Sequence, residues 1–228
     1  MKRYAQIVLA AALGFPMYAG AFTITSTLTG DIRLDNPDNL VVNVTITGAD
    51  GGSTANWLVD INSPAHTGIK LDEFYFNLAG DANNYTFSGF NPTGWAVISP
   101  ATVQGAGGTT FRFETLDPSG PPNALDVTND RSLSFVMTSV TPLTAFSFTN
   151  ASSAISNDAG SGQLGAHLQS LTTAGNCGNS TNCSDSGFAF GTYVVGGGSP
   201  TGVPEPFSLA LLGIGLAGLG LVRRRSVR

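Results

Sequence analysis

The 228-residue sequence has few charged residues, only two cysteines and only two histidines. Charged residues make up 11% of the chain, whereas hydrophobic residues make up 42%. A disordered chain has the opposite composition, with low hydrophobicity and high net charge, so that class is excluded. Two cysteines are too few for a disulfide-rich miniprotein. The composition therefore indicates a globular body, and we expect a single domain, because all-β domains often reach this length.

Basic residues are scarce between the two ends of the chain. Residues 22–203 contain four basic and fourteen acidic residues, which gives this segment a net charge of −10. Such a surface repels nucleic acid and anionic lipid, and the segment has no cluster of lysine and arginine. We therefore expect no nucleic-acid partner. The acidic surface fits solubility outside a cell and leaves the binding of divalent cations open.

The N-terminus has the layout of a secretory signal peptide. Lys2 and Arg3 precede the apolar run Ile7 to Leu13, and the segment closes on small residues at Ala19 and Ala21. A basic start, a short apolar run and a small-x-small exit are the three parts of such a signal. The sequence predicts a signal helix over residues 1–21, cleavage after Ala21, and the Sec translocon as a partner.

The C-terminus also has three parts in a fixed order. An uncharged apolar stretch, Phe207 to Val222, spans about 24 Å as a helix, slightly less than a hydrocarbon core. We expect a single transmembrane helix here, with its basic end in the cytoplasm. The short motif before the stretch and the basic cluster after it consist of Pro204, Glu205 and Pro206, and of Arg223, Arg224 and Arg225.

Together, these three parts resemble a PEP-CTERM sorting signal, which would occupy residues 203–228. The resemblance implies an exported protein of an exopolysaccharide-producing Gram-negative bacterium. Exosortase, a transpeptidase-like membrane enzyme, would cut near the motif and release or re-attach the protein outside. The Gly-rich segment 196–202 would be a spacer before the signal. An ordinary membrane anchor that is never cut is the alternative.

The body, residues 22–195, has the pattern of an all-β protein. Short runs alternate between apolar and polar residues, and turn-forming residues separate them, which favours an antiparallel β-sandwich or jelly-roll-like fold. Residues 152–162 are polar and rich in glycine and serine, so we expect a surface loop there. The predicted strands are Phe22–Thr25, Val42–Thr47, Trp57–Ile61, Ile69–Leu78, Tyr85–Phe90, Trp95–Ile98, Thr109–Leu116, Ser132–Ser139, Ala145–Thr149 and Phe188–Val195.

Trp57 and Trp95 have two interpretations. Aromatic side chains of a sandwich belong mostly to the core, which is our first expectation for both. If they face outward instead, they could form a stacking platform that binds glycans.

Cysteine and histidine offer few candidate sites. Cys177 and Cys183 are an even pair in an exported chain, so the sequence predicts a disulfide that closes a short loop. We expect His167 to be a structural, hydrogen-bonded residue, and His66 to lie on a loop. Residues 165–171 and 186–188 resemble the C-terminal stretch of many PEP-CTERM β-sandwich proteins, which implies family membership and no known activity.

No motif marks a catalytic centre or a metal site. The body has no Gly-x-Ser-x-Gly elbow, and nothing in the sequence marks a pair among its carboxylates, although Glu114 with Asp117 is one candidate pair for a hydrolase. We expect no cofactor: calcium is the best of several weak candidates, but turn chemistry explains its two acidic loops equally well. The first loop holds Asp31, Asp35, Asn36 and Asp38, and the second spans residues 117–130.

These observations favour a non-enzymatic exported protein with a structural or adhesive role in a biofilm or exopolysaccharide matrix. Two alternatives remain open at this point. One is a carbohydrate-binding module for the exopolysaccharide, and the other is a secreted hydrolase.

Overall fold

The computed structural model describes residues 20–31, 37–98, 103–105, 109–117, 126–156, 160–173 and 183–196. These residues form sixteen strands, one short α-helix (α1, Phe146–Thr149) and one turn of 3-10 helix (Ala82–Asn84). The strands are β1 (Ala21–Gly30), β2 (Val41–Ala49), β3 (Thr54–Ile61), β4 (Lys70–Phe76), β5 (Tyr85–Asn91), β6 (Ala96–Ile98), β7 (Val103–Gly105), β8 (Thr109–Phe111), β9 (Phe113–Leu116), β10 (Val127–Thr128), β11 (Leu133–Ser139), β12 (Ala154–Ser156), β13 (Gly160–Gly162), β14 (Leu164–Gln169), β15 (Gly187–Gly191) and β16 (Val194–Val195).

Strict alternation along the first three strands produces an antiparallel meander. β1 pairs with β2, and β2 pairs with β3. Because successive side chains of a strand point to opposite faces, every second residue enters the core. The buried apolar residues of the three strands are Phe22, Ile24, Leu28, Val42, Val44, Ile46, Ala55, Trp57, Val59 and Ile61.

The main sheet folds over on itself and encloses this core. Its order is β5-β11-β3-β2-β1-β15-β14-β4-β9-β6, so β3 and β4 are five positions apart. In a flat sheet that separation would be about 24 Å. The rings of Trp57 on β3 and Phe76 on β4 are nevertheless only 4.8 Å apart. The two halves of the sheet therefore face each other, and the predicted antiparallel sandwich is confirmed.

A second, smaller apolar cluster lies on the outer face of β4, β14 and β15. Tyr75 on β4 and Phe190 on β15 pack there with Phe111 of β8 and Ala154 of β12. β8 pairs with β7, and β12 pairs with β13, in two small hairpins. Residues of these hairpins thus cover part of the outer face, next to the candidate site described below.

The prediction of a strand over Ala145–Thr149 is wrong, because residues 146–149 are helical. Hydrogen bonds start this turn: the Phe146 N–H donates to Thr144 Oγ1, and the Thr144 N–H donates to Ser147 Oγ. Residues two apart lie on nearly opposite sides of a helix. Phe148 is accordingly buried, whereas Phe146 is 67% exposed and does not belong to the core.

The prediction of a surface loop over residues 152–162 is also wrong in part. Residues 154–156 and 160–162 pair as β12 and β13, and Ala154 is buried.

β14 follows directly and was not predicted as a strand. Its glycine and alanine carry little strand propensity, so tertiary pairing with β4 and β15 determines its conformation. The predicted strand Phe188–Val195 divides into β15 and β16.

Residues 21–197 group into one compact unit. Residues 1–19 of the predicted signal helix, the spacer beyond Gly196 and the sorting tail lie outside the described residues, and Ala21, the last residue of the predicted signal, is the first residue of β1. The signal peptide and the transmembrane helix therefore remain predictions. In the part of the chain that the structure describes, no helix is long and apolar enough to cross a membrane.

Candidate functional site

A β-bulge on β4 places two consecutive carboxylates on the outer face of the sheet. In the pairing of β4 with β14, Glu73 lies opposite His167 and Leu71 opposite Leu168, so Asp72 is an extra residue. Leu71 and Phe74 on either side are fully buried in the core. Consecutive residues of a regular strand point to opposite faces, and the bulge removes that alternation locally. Asp72 and Glu73 therefore both lie beside His167.

His167 lies between the carboxylates and an aromatic ring. Its neighbour on β15 is Phe188, and the two rings stack with centroids 4.5 Å apart and an interplanar angle of 18°. His167 Nδ1 lies 2.9 Å from Asp72 Oδ2 and 3.5 Å from Glu73 Oε2. This nitrogen is enclosed by protein and has no well-formed hydrogen bond. The imidazole ring therefore interacts electrostatically with both carboxylates.

Neighbouring side chains hold the same two carboxylate oxygens in place. Gln169 Nε2 donates a hydrogen bond of 2.7 Å to Asp72 Oδ2, and the Tyr75 hydroxyl donates one to Glu73 Oε2. Tyr75 is itself buried and stacks on Phe111, with ring centroids 5.4 Å apart. Burial and the Glu73 carboxylate raise the pKa of Tyr75 well above its ordinary value, so the phenol remains a donor.

Glu114 on β9 is the third carboxyl group of the cluster. It lies opposite Tyr75 in the pairing of β4 with β9, and its side chain contacts Glu73. Burial, and next the charge of Glu73, raise the pKa of Glu114 to about 7. The contact with His167 lowers the pKa of Glu73, while burial opposes that effect. Two neighbouring carboxyl groups thus differ in protonation near neutral pH.

No motif in the sequence predicts this cluster as a whole. Glu114 was considered with Asp117, but its carboxyl partner is Glu73 on the neighbouring strand. The structural role expected for His167 stays a prediction, and the structure adds that this residue faces two carboxylates. Only the pairing of β4 with β14 and the bulge bring these side chains together.

The two tryptophans lie in the core, as the first interpretation expected. Trp57 is 1% exposed and stacks on Phe135, and Trp95 is 3% exposed. Neither ring is presented to solvent, so these two residues do not form an outward-facing platform for glycans.

His66 has a structural environment. Its side chain is fully buried, its Nε2 lies 2.7 Å from the Asp38 carbonyl oxygen, and its Nδ1 accepts a bond of 3.2 Å from the Thr172 N–H. An acceptor at Nδ1 requires the neutral ring with its proton on Nε2. His66 therefore connects the loop after β3 to the loop before β2, which contains Asp38, and to the loop after β14, which contains Thr172.

The predicted calcium loops and the predicted disulfide are described only in part. Asp31 is buried, and its Oδ2 accepts a hydrogen bond from the Phe188 N–H. Asp35, Asn36 and residues 118–125 lie outside the described residues, as does Cys177. The Cys177–Cys183 disulfide therefore remains a prediction, and calcium binding remains an open alternative.

The fold is that of an antiparallel β-sandwich. Comparison with protein families identifies the type of export signal that the chain carries. The PEP-CTERM protein-sorting motif matches residues 202–225. The predicted sorting tail is thus confirmed. The motif implies an exported protein, made as a membrane-anchored precursor, processed by the membrane enzyme exosortase and located at the surface. No curated protein and no solved structure matches the chain.

Proposed function

We propose that the protein is a non-enzymatic structural or adhesive component of the surface or exopolysaccharide matrix of a Gram-negative bacterium. The PEP-CTERM motif at residues 202–225 carries this proposal, because it directs the chain to the surface through exosortase. The acidic body supports it, since a net charge of −10 over residues 22–203 keeps a sandwich soluble outside the cell.

The proposed route has three steps. The Sec translocon exports the chain through the signal peptide, the apolar stretch 207–222 holds it in the membrane, and exosortase then cuts near Pro204-Glu205-Pro206. The Gly196 N–H donates to the Thr23 carbonyl, which is the last backbone hydrogen bond along the described chain. Seven residues separate Gly196 from Pro204 and can span up to about 23 Å. This length gives a membrane enzyme access to the motif.

A secreted hydrolase is the second candidate, and one observation favours it. Glu73 and Glu114 are adjacent carboxyl groups whose pKa values move in opposite directions. Acid–base pairs in enzymes have this property. The same pair also fits a purely electrostatic cluster, so the two candidates need a direct test.

Complementation of a deletion strain separates the two candidates. We expect the wild-type gene and Glu114→Gln to restore surface attachment and matrix cohesion equally, because a structural role needs no proton transfer at this residue. Replacement of Pro204-Glu205-Pro206 by alanines should fail to restore them, whereas alanines at Ser199, Pro200 and Thr201 should restore them.

Either of two results would overturn the proposal. If Glu114→Gln reaches the surface in wild-type amounts but fails to restore cohesion, the hydrolase gains support. If the deletion strain attaches as well as the wild type, the structural or adhesive role is wrong.

A further inference from the structure

Three potential ligand atoms converge on the outer face of the sheet. One oxygen of each carboxylate, Asp72 and Glu73, and one ring nitrogen of His167 all lie within 4.8 Å of one another. Metal bonds of 2.0–2.2 Å place neighbouring ligand atoms about 3.0–3.5 Å apart in octahedral or tetrahedral geometry. The distances from Nδ1, 2.9 and 3.5 Å, already match that spacing.

An ion pair alone does not account for this arrangement. A proton on Nδ1 can form one linear hydrogen bond, yet two carboxylate oxygens approach the nitrogen and it has no well-formed hydrogen bond. A cation that lies on the lone pair of the deprotonated nitrogen can bind all three atoms at once. The nitrogen is also completely enclosed, so solvent does not supply a partner.

The surrounding side chains have the positions of outer-sphere partners in a metal site. Gln169 donates a hydrogen bond to Asp72 Oδ2 and Tyr75 donates one to Glu73 Oε2, which are the two oxygens that face Nδ1. Phe188 fixes the plane of the imidazole ring by stacking on it. Such bonds orient metal ligands and raise affinity. The side chains of His167, Asp72 and Glu73 are 18%, 26% and 27% exposed, so the cluster lies at the protein surface although Nδ1 itself is enclosed.

We propose that Asp72, Glu73 and His167 bind a divalent first-row transition metal ion such as Zn²⁺. One imidazole nitrogen with two carboxylate oxygens suits these ions, whereas Ca²⁺ takes six to eight oxygen ligands. The ion would join β4 to β14 across the bulge and would neutralise charge on an acidic surface. Solvent would supply the remaining ligands.

Calorimetric titration of the protein recovered after export tests this proposal. The protein is first stripped with a chelator and then titrated with Zn²⁺ and, separately, with Ca²⁺. The ligand variants are His167→Gln and Asp72→Asn, and the second keeps an acceptor for Gln169. Asp50→Asn removes an exposed turn carboxylate and is the matched control. Circular dichroism of each metal-free variant reports whether the sandwich is intact.

We expect one Zn²⁺ per chain, bound much more tightly than Ca²⁺. His167→Gln and Asp72→Asn should each weaken Zn²⁺ binding more than about 100-fold, and Tyr75→Phe, a positioning residue, should weaken it about 10–100-fold. Asp50→Asn should bind like the wild type. Titration with Co²⁺ adds a readout, since the visible absorption of the bound ion should change in His167→Gln.

Two results would overturn the proposal. In the first, Zn²⁺ does not bind, or it binds the wild type and a folded ligand variant equally tightly. Equal binding would show an adventitious ion only. The other is Ca²⁺ binding at this cluster as tight as Zn²⁺ binding. If His167→Gln does not fold, Asp72→Asn alone decides between these outcomes.

Discussion

At the scale of single residues, Glu114 shows how the surroundings of a side chain change its pKa. It is a glutamate on a short strand, and the sequence around it is unremarkable for a sandwich. In the structure it is 8% exposed and contacts Glu73, so its charged form loses solvation and gains repulsion. Both effects favour the protonated form, which is why its pKa rises to about 7.

This pKa predicts a pH dependence of stability in the metal-free protein. A carboxyl group whose folded pKa exceeds its ordinary value of 4.5 contributes stability below pH 4.5 and loses it as pH rises through about 7. Between pH 5 and pH 8, the wild type should therefore lose unfolding free energy relative to Glu114→Gln, by on the order of 1 kcal/mol. Urea unfolding with a chelator present measures this difference. Parallel curves for the two proteins would contradict it, and Asp50→Asn should follow the wild type.

His66 leads to a second prediction at this scale. In His66→Leu, the Thr172 N–H and the Asp38 carbonyl lose their buried partner. We expect a loss of about 1–3 kcal/mol in unfolding free energy, because both hydrogen bonds are partly buried and each contributes about 0.5–1.5 kcal/mol. Chemical denaturation gives the value. A loss below about 0.5 kcal/mol, the range of surface substitutions, would show that these bonds do not stabilise the fold.

At the scale of elements, helix α1 offers a matched pair of phenylalanines. Phe148 packs on Phe22, Trp57 and Tyr193, whereas Phe146 is exposed. Phe148→Ala should cost about 3–5 kcal/mol and Phe146→Ala about 0.5 kcal/mol or less. Denaturant unfolding of the two variants compares the costs directly. Equal costs would indicate that both rings are buried on one face, as in a strand.

Patterns within a strand could be predicted from the sequence, whereas contacts between distant strands could not. β1, β2 and β3 follow from alternation, because their apolar residues are large and regularly spaced. β14 lacks that signal, since Gly165 and Ala166 are small. Asp72 and Glu73 are adjacent in sequence, so a regular strand would separate their side chains. The bulge that unites them depends on pairing with a strand about ninety residues later.

At the scale of the whole molecule, the sandwich and the sorting tail have separate roles. Residues 21–197 form a compact unit, and the tail match begins at residue 202. Processing at the tail should therefore leave the folded body intact. Body variants such as Glu114→Gln should be exported and processed like the wild type, which blotting of the secreted fraction measures. Retention of such a folded variant in the membrane would contradict this separation.

The intact mass of the protein recovered from its own bacterium tests the central claim most directly. The wild type should lack both the signal peptide and the segment 207–228, whereas the variant with alanines at Pro204, Glu205 and Pro206 should retain that segment and remain in the membrane. A control with alanines at Ser199, Pro200 and Thr201 should be processed like the wild type. If the wild type and the motif variant both keep the tail, the protein is a permanently anchored surface domain, and sorting by exosortase is wrong.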